Sequence, residues 1–506
     1  MEKILLKNGG TRQKNKLAFG AFFYMLCSVA VKGIGALYRF PLLRLAGVES
    51  MGLYQMVFPL YALLLVVSGT GAPHGITRML SCGYDRKTTL RKALALFLSG
   101  GALFSVLLFL FADKAAALQG DVRAGVLYKA ISPAIVFVAA LACFRGAIQG
   151  GGDYFPTAFS QIIEQCVKAL TSLSLLIFIG GGAVRKALFA VSAVTVSEAF
   201  ALCYILFAYV KKYEKRKQKA VTINKNLCKN YCENEYYADE RGKIPNFKTL
   251  AFYVFPLTLS GLILPLGSFI DSFIAINFFK TYAADATALY GVYSGGVETV
   301  MGLFTGAVAA YAQARLPLMG KKKKARLTTF LACLAMGLMS TMFLFFFSDV
   351  TVKILFPKIG EYSQTLITAL KISGAAVFFE CVLCAANMIA LSLDGQIFST
   401  VSMAIGLAVK VVIDLILLKN PQINVSGLVI SSAAFYLVAS ATNLLYIYCV
   451  KLKVRARSGK FPYDSAKTSE KQIKEDETED ENCTGGAGKQ KGRPFVKRVG
   501  SGKIVR

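Results

Sequence analysis

Histidine occurs once in the 506 residues, as His74, and acidic residues number 29 against 58 lysines and arginines. One histidine removes every metal site that needs a pair of imidazoles, the H-E-x-x-H helix included. The chain also lacks a P-loop, a G-x-S-x-G turn and any paired-carboxylate motif in a loop long enough to form an active site, so no enzyme class finds its parts here. Charged residues make up 17%, apolar residues 55%, and the mean hydropathy is +0.52. These values exclude a water-soluble domain of this length. A chain that is apolar and yet carries a net charge of +29 keeps that charge in the loops and tails of a membrane protein, so no nucleic acid is expected as a partner. The 12 cysteines fall mostly singly inside apolar runs, where Cys is a small hydrophobe, and imply no disulfide framework. Cys228 and Cys232 have no second pair and no histidine nearby to complete a zinc site, and Cys381 and Cys384 lie inside an apolar run, where packing accounts for them.

What the sequence has is long apolar runs. A membrane helix needs about 20 such residues. Twelve runs qualify: 17–38, 52–72, 93–112, 127–147, 157–180 and 187–210, then 249–277, 289–312, 327–347, 364–391, 396–418 and 427–450. The expected fold is all-α and integral to the membrane, with about twelve spanning helices. Gly33, Pro59, Pro133, Pro256 and Pro265 mark helices that a bundle can bend. The basic segment 1–16 precedes the first run without a small-residue cleavage site, which reads as a retained helix rather than a signal peptide.

Basic residues orient the bundle. Five lie in 1–16, eleven in 211–248 and fifteen in 451–506, and a Lys run fills 321–324, whereas each loop on the opposite side holds one to three. Both termini are therefore expected in the cytoplasm, in the cytoplasmic membrane. The expected organisation is an amino-terminal half at 17–210, a basic linker at 211–248, a carboxy-terminal half at 249–450 and a disordered tail at 451–506. The halves look related: aligning 156–170 with 398–412 places Ser160 on Ser402 and Lys168 on Lys410. Such duplication is typical of secondary transporters, whose substrate path lies between the repeats.

Ionisable groups inside a membrane helix cost ~2.5–3.5 kcal/mol each and face the bundle interior or a wet cavity. In the first helix Lys32 and Arg39, seven apart, share a face, and Arg44 follows beyond Pro41. The fifth run carries Gln161, Glu164, Gln165 and Lys168 at i, i+3, i+4 and i+7, one polar stripe in which Glu164 and Lys168 are spaced to neutralise each other. Lys410 and Asp414 repeat that spacing in the eleventh run and read as a compensated pair. Asp271, Glu298 and Glu380 are acids in the seventh, eighth and tenth runs, each a candidate for binding a coupling proton or Na⁺. No other cofactor is expected.

The stretches VKGIGALYRFPLLRLAGVESMGLY (31–54), RGAIQGGGDYFP (145–156) and SQIIEQ (160–165) resemble stage V sporulation protein B and its relatives. These form the polysaccharide-exporter branch of the transporter superfamily that also holds multidrug and toxin exporters and the murein lipid II flippase. The resemblance covers about 17–450 and implies two six-helix lobes arranged as a V that open alternately to each side of the membrane. In the murein flippase, basic residues of the first helix meet the lipid-linked pyrophosphate. The matching positions here are Lys32, Arg39 and Arg44, a set that suits a diphosphate in a confined cavity. Three departures stand out: a lysine rather than an arginine at position 32, no basic residue in 52–72, and no runs for a thirteenth and fourteenth helix.

The expected function is thus a flippase for a polyprenyl-pyrophosphate-linked saccharide of the peptidoglycan-precursor type, with Lys32, Arg39 and Arg44 on the pyrophosphate. Arg145, Gln161, Glu164, Gln165 and Lys168 would shape or gate the cavity. Membrane lipids, and cell-wall synthesis enzymes at the basic inner face, are the expected partners. Two rivals remain: a proton- or Na⁺-coupled exporter of cationic small molecules, which predicts an acid-lined cavity, and a non-transporting scaffold for cell-wall enzymes, which predicts that the tail matters and the cavity charges do not.

Overall fold

The computed structural model describes residues 27, 30–31, 33–35, 37–67, 71–81, 83–211, 247–321, 323–357, 359–393 and 395–458. Lys32, the two linker cysteines, the segments 1–16 and 212–246 and the chain beyond 458 lie outside them. Among the described residues the chain is helical and contains no strand. Ten helices are long and apolar enough to cross a membrane.

In the amino-terminal half the first helix, α1, runs over residues 37–46. It is followed by α2 (Val48–Leu65), α3 (Ala72–Ser81), α4 (Arg86–Leu110), α5 (Ala112–Gln119), a 3₁₀ turn at Val122–Ala124, α6 (Gly125–Gln149), α7 (Phe155–Phe178) and α8 (Ala183–Tyr209). The carboxy-terminal half has α9 (Phe247–Phe279), α10 (Ala286–Gly291), a π-helical segment at Val292–Val297, α11 (Glu298–Lys321), α12 (Lys323–Leu355), α13 (Ser363–Leu391), α14 (Gln396–Leu417) and α15 (Asn424–Ser458). Residues 1–447 form one compact unit, and 448–506 form a second that holds the end of α15 and the tail.

Local chemistry sets the boundaries. The Asp85 side chain accepts from the Thr88 backbone N–H at 2.8 Å and caps α4. Pro59, Pro133 and Pro265 sit inside helices that continue through them. The helix of the run 52–72 ends at Leu65, a separate helix, α3, begins at Ala72, and 289–312 is interrupted by the π segment. The short α5, in a region read as a loop, is the main addition. Its polar, alanine-rich sequence gives no spanning signal, and Ala112, Ala116 and Gln119 are buried by the neighbouring helices.

The lipid-facing surface follows from the apolar positions that no protein covers. Leu103, Val106, Phe109 and Leu110 of α4 and Met339, Phe345 and Phe346 of α12 are exposed, as hydrocarbon solvent allows. Helix α9 joins the halves along its length. Near its start Val254 packs where a Cβ on Gly75 would come within 2.4 Å, and near its end the Asn277 amide donates to the Leu118 carbonyl at 3.0 Å. Helices α2 and α10 meet backbone to backbone. A Cβ on Gly52 would stand 1.9 Å from the Thr287 carbonyl oxygen, and one on Gly291 2.0 Å from that of Val48, so only glycine fits at either position.

Candidate functional site

Two groups of polar side chains occupy the interior, one in each half. In the amino-terminal half, the stripe on α7 forms as its spacing requires, with Gln161, Glu164, Gln165 and Lys168 all half-buried. The pairing within it differs from the expectation. Glu164 turns away from Lys168 and pairs with Arg145 of α6, whose Nη2 lies 3.0 Å from Oε2, while Arg145 Nε donates to Ser160 Oγ at 3.0 Å. A guanidinium can serve two acceptors at once, which an ammonium one turn along the same helix cannot match. The Gln165 amide donates to the other Glu164 oxygen at 3.1 Å. Lys168 instead lies over the Tyr38 ring, 5.9 Å from its centroid.

Tyr38 is buried and donates its hydroxyl to Ser172 Oγ at 2.7 Å, which fastens α1 to α7. The next residue, Arg39, is half-buried, and among the described residues no acid forms an ion pair with it. Its charge is felt by Tyr54, Lys168 and Glu298. Arg44 is exposed near the end of α1, beside Gly47, Phe356 and Ile359. The structure thus brings Arg39 and Lys168 together and leaves Arg44 apart.

Glu198 of α8 escaped the sequence reading. It is 7% exposed, with one carboxyl oxygen unpartnered among the described residues, and it interacts electrostatically with Glu164, Arg145 and Lys168. The signal was present, because an acid in an apolar run is a candidate by the rule that flagged Asp271.

The carboxy-terminal half gathers acids. Lys410 Nζ stands 2.8 Å from Asp271 Oδ1 of α9, 3.0 Å from Asp414 Oδ2 and 3.1 Å from Ser431 Oγ of α15. The pair expected within α14 is therefore part of a triad with α9, to which Ser431 ties α15. Glu298 and Glu380 are half-buried in the same half, and the Tyr293 hydroxyl is bonded to Ser432 Oγ at 3.0 Å. One ammonium thus faces four carboxyls here, whereas the other half sets Arg39, Arg145 and Lys168 against Glu164 and Glu198. The lysines matched by the repeat have diverged: Lys168 lies over an aromatic face, and Lys410 is locked between aspartates.

At the seam near α5 and α10, a cleft of about 320 Å³ is lined by residues that include Glu49, Asp121, Arg123, Lys280 and Thr287. Arg123 binds both Glu49 and Asp121, and Thr287 donates to Asp121 Oδ2 at 2.7 Å. Burial pushes the Asp121 carboxyl up, but the hydrogen bonds from Arg123 and Thr287 outweigh it and hold the group below the usual range.

Residues 17–323 match the family described as "Polysaccharide biosynthesis protein". The chain belongs to this family. Among curated relatives from Bacillus subtilis (strain 168), it is 25% identical to the uncharacterized membrane protein YabM over 444 residues, 84% of this chain and 79% of that one. It is 25% identical to stage V sporulation protein B over 71% of this chain and 68% of that one. With the lipid II flippase MurJ it shares 27% identity over about half of each chain, 51% and 49%. Among solved structures it resembles an inward-facing MATE multidrug resistance transporter of the MOP superfamily, with a TM-score of 0.63 at 14% identity over 85% of this chain and 96% of that one. It also resembles a MOP superfamily transporter from Pyrococcus furiosus Vc1, described as having a binding pocket of reverse polarity, with a TM-score of 0.55 at 14% identity over 86% and 95%. The fold is that of the MATE transporters, and the family member is a multi-pass membrane protein.

Proposed function

We propose that this family member is a flippase that carries a polyprenyl-pyrophosphate-linked saccharide, of the peptidoglycan-precursor class, across the cytoplasmic membrane. Movement is by alternating access of the halves 17–210 and 249–450, with both termini in the cytoplasm. The observation that carries the reading is Arg39. It is a cation inside a membrane bundle, it has no acid paired with it among the described residues, and it shares its surroundings with Lys168. A half-buried cation with no ion-pair partner inside a membrane bundle is costly, and an anionic substrate offsets that cost only while it is bound. The similarity to a lipid II flippase supports the substrate class.

In this reading Arg39 and Lys168 hold the diphosphate by charge-assisted hydrogen bonds, with Arg44 near the end of the first helix and Lys32, seven residues before Arg39 in the sequence, completing the basic set. Arg145 and Glu164 fix the position of α7. The triad of Asp271, Lys410 and Asp414, with Ser431 bonded to its lysine, holds α9, α14 and α15 as one body when the halves rock. No bond of the substrate is made or broken.

The test is flipping of a fluorescent undecaprenyl-diphosphate saccharide in liposomes, with Arg39→Gln and Lys168→Gln beside the native chain. The native chain should flip the lipid, and each variant should slow it at least tenfold while inserting normally. Equal rates would move the anion site elsewhere. The four carboxyls of the other half favour one second reading, export of organic cations. It predicts cation efflux from the same liposomes and no lipid flipping.

A further inference from the structure

The stretch Val292–Val297 is π-helical, and its last backbone bond shows what the wider turn leaves over. The Glu298 backbone N–H donates to the Tyr293 carbonyl, five residues back, and so passes over the Ser294 carbonyl, the partner it would have in an α-helix. The π pattern ends there and α11 continues as an α-helix, so the Ser294 carbonyl falls between the two registers. A backbone oxygen left out of the ladder in a dry interior is costly unless another donor reaches it. Ser294 is 1% exposed, so its surroundings must supply that donor.

The donor that reaches it comes from the other half. Gln55 of α2, itself buried, donates its side-chain amide to the Ser294 carbonyl at 3.1 Å. Around this bond both halves press on the two glycines of the segment. A Cβ on Gly295 would meet Met51 of α2, and one on Gly296 would stand 2.8 Å from Leu366 Cδ1 of α13. Tyr293 is tied to its own half, with its hydroxyl 3.0 Å from Ser432 Oγ of α15. Leu366 and Tyr293 thus fix the segment within the carboxy-terminal half, while Gln55 and Met51 meet it from the amino-terminal one. The bond from Thr287 to Asp121 crosses the same seam but is of another kind, because Asp121 keeps Arg123 when Thr287 leaves.

We propose that Gln55 is the positioning residue that holds this end of the seam shut, by supplying across it the hydrogen bond that the π register withholds from the Ser294 carbonyl. This role rests on the alternating movement of the halves proposed above. With the halves together, the carbonyl is served by the Gln55 amide; with the halves apart, water entering the seam takes the place of the amide. The carbonyl is satisfied in both states, and the amide is needed in only one of them. Removing it therefore penalises the closed state alone and shifts the population toward the open one.

The experiment follows the reaction of a maleimide with a cysteine placed at Ala288, a buried residue that lines the cleft at this end, in the full chain in detergent with its own cysteines replaced by alanine. Gln55→Leu keeps the bulk and removes the donor, and should raise the labelling rate at least ~5-fold, the scale of an unsatisfied buried acceptor. Gln55→Glu, which sets a second acceptor against the carbonyl, should raise it further. Deletion of Gly296 makes Tyr293 the fourth residue before Glu298, so the same backbone bond becomes an ordinary α-helical one and Ser294 receives the N–H of Thr299. In that background Gln55→Leu should change the rate by less than ~2-fold, because the bond it removes is no longer needed. A rate unmoved by Gln55→Leu, or a rise of the same size with Gly296 present and absent, overturns the inference. Should the deleted chain not insert, Gln55→Glu decides in its place: a rate no higher than that of Gln55→Leu means that the residue acts by bulk, which also overturns it. The flipping assay keeps the two readings apart. A native chain that flips lipid while the labelling results fail loses only the role of Gln55, and one that flips none while Gln55→Leu opens the seam loses the substrate and keeps the latch.

Discussion

Lys410 Nζ lies 2.8 Å from Asp271 Oδ1, an ion pair that ties α14 to α9 where both side chains are almost wholly buried. Asp414 adds a second carboxylate at 3.0 Å and is itself fully buried. Removing one partner from such a group costs far more than replacing the whole, because the survivor keeps its charge and loses its neutralisation. Lys410→Met should therefore destabilise the protein by about 3–5 kcal/mol. The triple change Asp271→Asn, Lys410→Met, Asp414→Asn should recover much of that loss. Thermal unfolding in detergent, followed by the fraction that remains monodisperse, measures both; equal damage by the single and triple changes would mean that the charges are not what holds these helices.

Arg145 makes a different kind of link, with one guanidinium serving Glu164 and Ser160 at once. Arg145→Ala leaves Glu164 with only the Gln165 amide and should cost about 2 kcal/mol. Arg145→Lys should fall between, since it keeps the charge but cannot reach both acceptors. If lysine proved as damaging as alanine, geometry rather than charge would be the whole contribution. Melting curves of the three proteins separate the cases.

These two links show what the sequence discloses and what it does not. Helix positions were legible because a spanning helix must satisfy its backbone within itself, which leaves runs of about 20 apolar residues. Lys410 with Asp414 was legible because i, i+4 is a local distance. Asp271, the third member, lies in another helix far away in the chain, and no spacing reports it. The same local rule misled at Glu164, where Lys168 has the right spacing but Arg145 of α6 supplies the better geometry. Glu198 was legible by the same rule as Asp271, since both are acids inside apolar runs.

The contact of α2 with α10 offers a prediction about movement. Gly52 and Gly291 let two backbones meet closer than any side chain permits. Gly52→Ala must push Thr287 away and, with it, the donor to Asp121. Overpacking of this kind costs about 1–3 kcal/mol, charged here to the state in which the halves touch at this end. Gly52→Ala should raise the labelling rate of a cysteine placed at Ser294 severalfold, with Gly302→Ala, where nothing lies in the way, as the control. No change in labelling would mean that this contact does not open during the cycle.

Asp121 predicts a pH dependence whose sign follows from its partners. Its carboxyl is held below the ordinary value by Arg123 and Thr287 in spite of burial. A group depressed in the folded state stabilises the fold above its unfolded value of about 3.9, and that contribution is lost as the pH falls below it toward the folded value. Native protein should therefore lose thermal stability from about pH 4 downward, more steeply than Asp121→Asn, which has no such proton to accept. Thr287→Val removes the donor from the other half but leaves Arg123 in place, so its acid limb should be shallower than the native one and steeper than that of Asp121→Asn. Unfolding temperatures between pH 3 and 6 give all three slopes; native and Asp121→Asn curves running parallel would show that this carboxylate does not hold the seam.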